Sequence, residues 1–388
     1  MPKNWKIYKL EEVAQLRKEG IKPSDFNGED YIGLEHIGQG DFLLDGIGKA
    51  SDVKSNKSKF VEGDILYGKI RPYFKKVYRP KFSGICSTDI LIINTKNENL
   101  VSQSYLHHLI KTQEFTDKAT ETSSGTKMPR ADWKSLEKWG ISFPPLPEQT
   151  QIANILSAID DKIENNLAIN KTLEDMAMAL YKHWFVDFGP FQEGEFVDSE
   201  LGLIPKGWEV KRLEELIEIK YGKDHKKLND GNIPVYGSGG IMRYVDDSLY
   251  DKESILIPRK GTLSNLFYVT EAFWSVDTMF YSKIKNLIFG KYIFHLLKNL
   301  DLASMDVGSA VPSLTTSLLK RIEIIVPSIL EVQKFDIEVS RFFTDIKLNT
   351  NENQTLTKLR DTLLPKLISG EVRLKEFREE IDAEMNSA

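Results

Sequence analysis

Basic and polar residues are concentrated in four glycine- or proline-containing loops, two in each half of the sequence. Lysine and arginine neutralise the phosphates of a nucleic acid, and arginine also binds guanine through two hydrogen bonds. Glycine lets backbone N–H groups approach a phosphate or a base edge. The loops are therefore candidates for DNA binding, although for each residue taken alone a solvated surface charge is the simpler interpretation. The candidate DNA-binding residues are Lys69, Arg71, Tyr73, Lys75, Lys76, Ser124, Thr126, Lys127 and Arg130 in the first half and Tyr236, Ser238, Arg243, Arg259, Lys260 and Thr262 in the second.

The sequence carries no catalytic signature beside these loops. Residues 46–49 (GIGK) lack the spacing of a phosphate-binding loop, and residues 143–146 (FPPL) lack the first residue and the aromatic end of an adenine methyltransferase loop. His107 and His108 are adjacent, so a helix would point them to different faces and not at one metal ion. We therefore predict no catalytic residue, no metal site and no cofactor bound by this chain, which would make it a non-catalytic protein.

The two halves of the sequence repeat each other. The spacing between matched residues falls from 203 near the start to 183 at the end of the first block, and it then stays at 183 through two helical segments. Insertions are thus confined to loops, as expected beside a rigid helical strut in which one inserted residue rotates all later side chains by about 100°. The matched pairs are Trp5 and Trp208, Leu10 and Leu213, Asp89 and Asp277, Gly125 and Gly308, and Glu148 and Glu331.

Two long helices are predicted, one after each block. Residues 148–186 contain neither glycine nor proline and follow a proline-rich entry, so they could extend roughly 58 Å at about 1.5 Å per residue. Residues 328–372 form the second helix, which Pro365 and Gly370 are expected to shorten or kink. Apolar residues recur in both at alternating intervals of three and four, the pattern of a coiled coil. The predicted helix-pair interface comprises Ile152, Leu156, Ile159, Ile163, Asn166, Asn170, Leu173 and Leu180 in the first helix and Phe335, Val339, Phe342, Ile346, Asn349, Asn353, Leu356 and Leu363 in the second.

Asparagine falls at the same two core positions of both helices. A buried asparagine costs stability but disfavours wrong registers, in which it would face an aliphatic side chain. If the helices pack antiparallel, Asn166 would face Asn353 and Asn170 would face Asn349. The alternative is that each helix is a plain amphipathic helix packed on its own block, with its asparagines at an exposed edge.

The charge of the sequence divides along the same boundaries. The net charge is −5, yet residues 1–147 hold 23 basic against 19 acidic residues, and residues 206–327 hold 17 against 15. The mild positive charge of the two blocks is compatible with DNA binding. The predicted segments are a first block (1–147), a central helix (148–186), an acidic linker (187–205), a second block (206–327), a distal helix (328–372) and a charged tail (373–388).

Bulk properties predict an intracellular protein. The single cysteine, Cys86, excludes a disulfide framework, and the first residues contain no apolar run typical of a signal peptide. No window approaches the roughly 18 apolar residues that span a membrane. We therefore expect a soluble, cytoplasmic protein without a membrane partner.

The order of block, helix, block and helix resembles the DNA specificity subunits of type I restriction-modification systems over nearly the whole chain. The most specific stretch is PLPEQTQIANILSAIDDKI (residues 145–163), at the entry to the first helix, and GWEVKRLEEL (residues 207–216) marks the start of the second block. The second copy departs from the pattern at residues 327–333 (PSILEVQ), which leaves the entry to the second helix less well defined.

The resemblance implies an α+β fold in which two globular target recognition domains are separated by two long antiparallel helices that form a coiled coil, with a pseudo-two-fold internal repeat. Each domain would read one half of a split double-stranded DNA site, and the helices would set the length of the spacer between the halves. Two modification (methyltransferase) subunits would dock on the chain and bind S-adenosylmethionine, and restriction/translocase subunits would bring ATP and Mg²⁺. The alternatives are a stand-alone DNA-binding or regulatory protein on the same scaffold, a coiled-coil scaffold without nucleic acid, and a self-contained nuclease or methyltransferase.

Overall fold

The computed structural model describes residues 4–125, 127–302, 304–305 and 313–374. The chain divides into two compact units, Met1–Leu167 with Thr350–Ala388, and Ala168–Asn349. Each unit contains one of the predicted blocks and one half of each long helix. The predicted DNA-binding residue Thr126, together with positions 375–388 of the predicted tail, lies outside the described residues.

The first unit is an α+β assembly of short strands and helices. Its strands are β1 (Lys6–Lys9), β2 (Ala14–Leu16), β3 (Gly20–Ile21), β4 (Asp30–Ile32), β5 (Gly48–Lys49), β6 (Lys57–Phe60), β7 (Ile65–Gly68), β8 (Val77–Tyr78), β9 (Gly84–Cys86), β10 (Ile90–Thr95) and β11 (Gly140–Phe143). Its helices are α1 (Leu10–Val13), α2 (Gln103–Ile110), α3 (Gln113–Glu121), α4 (Trp133–Leu136) and the first half of α5 (Leu146–Phe185), together with the second half of α9 (Ile329–Ser369).

Three sheets organise the strands of the first unit. β1 pairs with β11, the order β2-β10-β7-β8 gives a four-stranded sheet, and the order β3-β6-β9-β4-β5 gives a five-stranded sheet. β7 and β10 are rich in β-branched and aromatic residues, which suit the pleated surface of a sheet. Tyr67 of β7, Tyr105 of α2 and Phe115 of α3 are fully buried in one hydrophobic core, so the four-stranded sheet and these helices fold together.

The second unit repeats this construction. Its strands are β12 (Phe196–Ser199), β13 (Gly202–Pro205), β14 (Glu209–Arg212), β15 (Ile217–Tyr221), β16 (Asp230–Gly237), β17 (Gly240–Val245), β18 (Ser254–Pro258), β19 (Phe267–Val269), β20 (Trp274–Ser275), β21 (Met279–Ile284) and β22 (Glu323–Val326). Its helices are α6 (Leu213–Leu216), α7 (Gly290–Asn299), α8 (Thr316–Lys320) and the first half of α9 (Ile329–Ser369), together with the second half of α5.

The sheets of the second unit correspond to those of the first. β14 pairs with β22 as β1 does with β11, and the order β15-β21-β18-β19 matches β2-β10-β7-β8. A three-stranded sheet of order β17-β16-β20 takes the place of the five-stranded sheet, and β12 and β13 form a separate hairpin. The predicted α+β class and internal repeat are therefore confirmed.

Strand register corrects one detail of the predicted repeat. Leu66 of β7 and its counterpart Leu256 of β18 are 190 residues apart. The residues opposite them, Ile92 of β10 and Tyr281 of β21, are 189 residues apart. The counterpart of residue 277 is consequently residue 88.

The predicted match of Asp89 with Asp277 is thus wrong by one residue, and Thr88 takes the place of Asp89. The reason is physical: a shared residue type in a loop carries no information about pairing, whereas backbone hydrogen bonds and the inward face of each strand fix the register.

The connection after β4 differs most between the units. β4 and β16 each run parallel to one strand, with Tyr31 opposite Ile85 and Val235 opposite Trp274, and antiparallel to a second strand. In the second unit residues 238–239 join β16 to β17 by a tight turn, whereas the corresponding strands of the first unit are separated by 15 residues. Much of the extra length of the first block therefore lies in this one loop.

The two long helices have 40 residues (α5) and 41 residues (α9). Pro365 lies inside α9 without ending it, contrary to the predicted shortening. Buried Leu364, Leu367 and Ile368 hold this turn in the core of the first unit, which offsets the backbone hydrogen bond that proline cannot make. Gly370 follows the end of the helix in the left-handed region, at φ 74°. In the described part of the chain, no helix combines the length and the apolar character needed to cross a lipid bilayer.

Candidate nucleic-acid interface

Two of the predicted loops of the first block lie side by side. The first basic turn (residues 69–76) follows β7, and the first glycine loop (residues 123–131) precedes α4. The backbone N–H of Arg71 donates to the carbonyl of Pro129 over 2.7 Å, and a second backbone bond of 2.9 Å joins the two loops. The candidate residues of the two loops therefore share one surface. Tyr73, Ser124, Lys127 and Arg130 are exposed, and Lys69, Arg71, Lys75 and Lys76 are half-buried.

The first basic turn has a strained backbone. Arg71 (φ 51°) and Lys75 (φ 49°) both lie in the left-handed region on either side of the short helical turn Pro72–Phe74. Non-glycine residues in this region cost on the order of 1 kcal/mol or more each, and such strain is concentrated at ligand-binding sites. The turn leaves Tyr73 49% exposed and holds the Arg71 guanidinium 5.8 Å from the ring centroid of Phe74. A cation and an aromatic ring are thus presented together.

Two lysines of the first basic turn are held by contacts within the protein. The Lys69 ammonium donates to the carbonyl of Thr88 (2.7 Å) and lies 3.3 Å from the carboxylate of Asp89. The Lys76 ammonium donates to the carbonyl of Leu34 (2.7 Å). Lys76 therefore ties the turn to the loop after β4, a structural contact that its residue type did not reveal.

The second block repeats the arrangement around the first basic turn. The carbonyl of Lys69 accepts a hydrogen bond from the N–H of Ala131 (2.9 Å), and the carbonyl of Arg259 accepts one from Leu314 (3.0 Å). Each cationic side chain also donates to a carbonyl in the turn before the neighbouring strand, at 2.7 Å for Lys69 and 3.4 Å for Arg259. The predicted equivalence of GKIRP and PRKGT is therefore present in three dimensions.

Tyr221 is a candidate that the sequence analysis missed. Its ring is 51% exposed at the end of β15, and the guanidinium of Arg259 lies 5.5 Å from the ring centroid. A guanidinium stacked on an aromatic ring is held in one plane, which suits it to bind a base edge or a phosphate. Since Tyr221 is remote from Arg259 in the sequence, only the pairing of β15 with β21 and of β21 with β18 brings the two together.

The β16–β17 hairpin turn lies beside the second basic turn (residues 259–262). The side-chain amide of Asn265 donates to the carbonyl of Ser238 over 2.8 Å. Gly261, at φ 87°, approaches so closely that an added Cβ would lie 2.7 Å from the hydroxyl oxygen of Ser238. Ser238 and the basic turn therefore share one surface. Lys260 and Thr262 are exposed there, and Ser238 and Arg259 are half-buried.

Two further candidates of the second block have internal contacts. The Arg243 guanidinium donates to Asp230 (2.9 Å) and to the carbonyl of Leu228 (3.0 Å), which fixes the base of the hairpin. Tyr236 packs its ring 5.5 Å from that of Phe267, and burial raises the pKa of its hydroxyl. Both residues position the hairpin and are less available to a ligand than the sequence suggested.

Within the first unit, the long helices meet at an asparagine pair. The Asn166 side-chain amide donates to Asn353 Oδ1 (2.8 Å) and to Glu352 Oε2 (2.7 Å), and Asn166 is fully buried. Lys162 lies 3.1 Å from the same Glu352 carboxylate. The hydrogen bond from Asn166 and the contact with Lys162 lower the pKa of Glu352.

Within the second unit, the other predicted asparagine pair is present as well. Asn349 donates to Asn170 Oδ1 over 2.9 Å, and the amide of Asn170 lies 3.5 Å from the carbonyl of Ile346. Asn170 lies four residues after Asn166 in α5, and its partner Asn349 lies four residues before Asn353 in α9. The two helices therefore pack antiparallel, as predicted.

Several of the other predicted interface residues belong to the hydrophobic cores of the two units. Ile152 and Leu156 belong to the hydrophobic core of the first unit, and Phe335 and Val339 belong to that of the second. The beginning of each helix therefore packs on the block that precedes it, while the asparagines lie at helix–helix contacts. The buried members of the predicted set are Ile152, Leu156, Ile159, Ile163, Asn166, Asn170, Phe335 and Val339, and the half-buried members are Leu173, Leu180, Phe342, Ile346, Asn349, Asn353, Leu356 and Leu363.

A buried ion cluster in the first unit escaped the sequence analysis. Asp160 of α5 lies 2.6 Å from the ammonium of Lys111 and 3.5 Å from the guanidinium of Arg360. Both cations lie over the ring of Phe42, the Lys111 ammonium 4.9 Å and the Arg360 guanidinium 4.8 Å from its centroid. Burial is the largest single influence on the pKa of Asp160 and would raise it, but the contacts with Lys111, His108 and Arg360 together outweigh burial and the pKa is lowered overall. The cluster joins the long loop after β4 to α2, α5 and α9.

His107 and His108 of α2 are buried beside this cluster. Burial lowers the pKa of His108 to about 3 and that of His107 well below its usual value, so both are neutral. His108 Nε2 lies 2.9 Å from the hydroxyl of Ser157. The described residues include no group of three or more His, Cys, Asp or Glu side chains placed to hold a metal ion.

Comparison with known proteins places these features in a family. Residues 2–175 and 205–358 match the family described as "Type I restriction modification DNA specificity domain". The two matched segments each contain one block and the beginning of the long helix that follows it.

Similar proteins extend the match over the whole chain. The type I restriction enzyme MjaIX specificity subunit of Methanocaldococcus jannaschii is 28% identical over 425 residues, covering 97% of this chain and 95% of that protein. The HindI specificity subunit of Haemophilus influenzae is 26% identical, covering 95% and 100%. The crystal structure of a type I restriction-modification system S subunit from M. genitalium has the same fold, with a TM-score of 0.58 at 19% identity, covering 94% and 96%.

Proposed function

Because the chain belongs to the type I restriction modification DNA specificity family, we propose that each of its two blocks reads one half of a bipartite double-stranded DNA site. As a specificity subunit, the chain supplies DNA recognition and leaves catalysis to other subunits of the complex.

The observation that carries this proposal is the basic turn that the chain contains twice. Lys69 and Arg259 follow equivalent strands and accept equivalent backbone hydrogen bonds, from Ala131 and from Leu314. A cation in each turn is stacked on an aromatic ring, Arg71 on Phe74 and Arg259 on Tyr221. Two copies of one reading surface are what a site made of two specified halves requires.

The exposed members of the two surfaces divide by the chemistry they offer. Lys127, Arg130 and Lys260 carry exposed ammonium or guanidinium groups that suit phosphates. The stacked Arg71 and Arg259 are held in one plane, which suits the two acceptors of guanine in the major groove. We assign phosphate contacts to the first group and base contacts to the second.

The long helices serve as the ruler between the two halves of the site. A helix of 40 residues is about 60 Å long, and two proteins reading the same side of B-DNA act about 34–36 Å apart. Leucine and isoleucine contacts alone tolerate slipped registers, but the asparagine pairs penalise them. The spacer between the half-sites would thereby have one length.

Partner subunits complete the reaction in this proposal. Two modification subunits dock on the two copies of the repeat, bind S-adenosylmethionine and methylate an adenine of each half-site after flipping it out of the duplex. Restriction/translocase subunits contribute ATP and Mg²⁺. The net charge of −5 agrees with this division, because partners then supply much of the contact with phosphates.

A binding titration with and without partners tests the proposal. The full chain is expressed alone and together with a modification (methyltransferase) subunit, and each preparation is titrated with duplex DNA at physiological salt. We expect weak binding by the chain alone and tight, sequence-specific binding by the complex. Equal affinity of the two preparations, or methyl transfer by the chain alone, would overturn the division of labour.

A further inference from the structure

The β16–β17 hairpin presents an apolar tip that the fold leaves uncovered. Ile241 is 46% exposed, Met242 60% and Tyr244 43%, so three of four consecutive residues offer apolar surface to solvent. The fourth, Arg243, is held at the base of the hairpin by Asp230. Contiguous exposed apolar residues in a folded domain mark a binding surface.

The tip has a defined shape. Gly237 lies opposite Gly240, and a Cβ at Gly237 would lie 2.6 Å from the sulfur of Met242, so the thioether packs across the bare backbone of the neighbouring strand. Val235 lies opposite Arg243 and Tyr236 lies opposite Ile241, so Met242 is the extra residue of a bulge in β17 just after the turn, and bulges increase the twist of a hairpin. Met242 is therefore held in place before any ligand binds.

The charge beside the tip selects its partner. The hydrogen bond from Asn265 to Ser238 holds the hairpin turn next to the second basic turn. Arg259 and Lys260 of that turn place positive charge beside the hairpin. An apolar partner protein would leave these cations unpaired at the contact, whereas duplex DNA offers phosphates to them. A two-stranded ribbon fits the major groove, about 12 Å wide, but not the minor groove, about 6 Å wide. In the major groove the apolar group available to Met242 is the methyl of thymine.

We propose that the β16–β17 hairpin enters the major groove of one half-site and that Met242, with Ile241 and Tyr244, reads thymine through its methyl group. This inference rests on the proposed function and adds to it the element, the groove and the base. At the corresponding place between β4 and β5, which the structure describes throughout, the first block has a 15-residue loop with buried Phe42 and no tight hairpin turn. Methyl reading by a hairpin therefore belongs to one half-site only.

The test replaces thymine by deoxyuridine, which removes the methyl group and leaves every hydrogen-bonding group of the base in place. Each thymine of both half-sites is replaced in turn, and binding by the full chain with its modification subunits is titrated. We expect the affinity to fall about fourfold at one or two positions of one half-site, the size of effect given by burial of one methyl group. In Met242→Ala the same replacements should change the affinity less than twofold. Leu203→Ala, which removes an equally exposed side chain (60%) from the β12–β13 hairpin of the same unit, should keep the full deoxyuridine effect.

Each result decides between the inference and its premise. If the native complex bound the site and scrambled DNA with equal affinity, the proposed function itself would be wrong. Specific binding that no deoxyuridine weakens, or a deoxyuridine effect that Met242→Ala leaves intact, would overturn the hairpin inference and keep the proposed function. A Met242→Ala chain that no longer copurifies with the modification subunits would make the tip a protein-binding surface and overturn the inference as well.

Discussion

The side-chain amide of Asn166 donates to Asn353 Oδ1 over 2.8 Å across the α5–α9 contact of the first unit. Asn166 is fully buried, and the amide of Asn353 donates in turn to the carbonyl of Ile163 (3.3 Å). A buried side-chain amide lowers stability unless it is hydrogen-bonded, so the contribution expected of such a pair is structural specificity. We infer that it fixes the alignment of the two helices.

Removal of one member of the asparagine pair should cost more than removal of both. Asn166→Leu leaves the Oδ1 of Asn353 without its hydrogen-bond donor, and we expect the free energy of unfolding to fall by about 1–3 kcal/mol. The double variant Asn166→Leu with Asn353→Leu replaces two polar groups by two apolar ones and should recover most of this loss. Urea unfolding of the four proteins of the cycle measures the coupling, and strictly additive losses would contradict a direct pair.

The ion cluster around Asp160 gives a stability difference that depends on pH. Asp160→Asn leaves Lys111 buried without an anion and leaves Arg360 only the more exposed carboxylate of Asp361, and the loss of stability near pH 7 should be about 3 kcal/mol. Because the pKa of Asp160 in the folded state lies below its ordinary value of 3.8, its contribution is fully present above that value and is lost as the pH falls through the folded-state pKa. The native chain and the variant should therefore become equally stable only at strongly acidic pH. A difference that disappeared already near pH 6 would assign the effect to another group.

The basic turns should contribute to DNA binding separately. Arg259→Ala in the full complex is expected to weaken specific binding about tenfold and to relax the preference at one base pair, because a bidentate contact with guanine contributes about 1–3 kcal/mol. Lys260→Ala should instead weaken binding to all sequences and reduce the slope of log affinity against log salt by about one. Lys206→Ala removes a charge paired with Glu195 on the linker and serves as the control. Identical effects of Arg259→Ala and Lys260→Ala would refute the assignment to base and phosphate.

Equal lengthening of both helices should change the spacer and leave the half-sites unaltered. Four residues inserted after residue 167 and four after residue 349 preserve the antiparallel pairing and add about 6 Å, or about two base pairs. Mapping of methylated sites measures the spacer directly. New bases in either half-site, or an unchanged spacer, would contradict the role of the helices as a ruler.

The sequence predicted those features that depend on local periodicity. The heptad pattern located both helices and paired Asn166 with Asn353, because positions three and four apart define one face of a helix whatever lies around it. The repeat of strand and basic turn likewise located Lys69 and Arg259.

Features that depend on distant residues could not be predicted in this way. Arg360 occupies a heptad position typical of apolar residues, and only the fold brings Asp160 and Lys111 to it. Lys76 and Arg243 resembled ligand-binding cations, yet their partners within the protein lie in other loops. Residue type gives the charge of a side chain, whereas its availability depends on what the fold places beside it.

One DNA-reading unit that is present twice should be held at a fixed spacing. Sequencing can detect every methylated adenine in DNA from cells that express the chain with its modification subunit. We expect one motif with two short specified halves, one methylated adenine in each, separated by unspecified bases of constant number. A single uninterrupted motif, or halves separated by a variable number of bases, would contradict it.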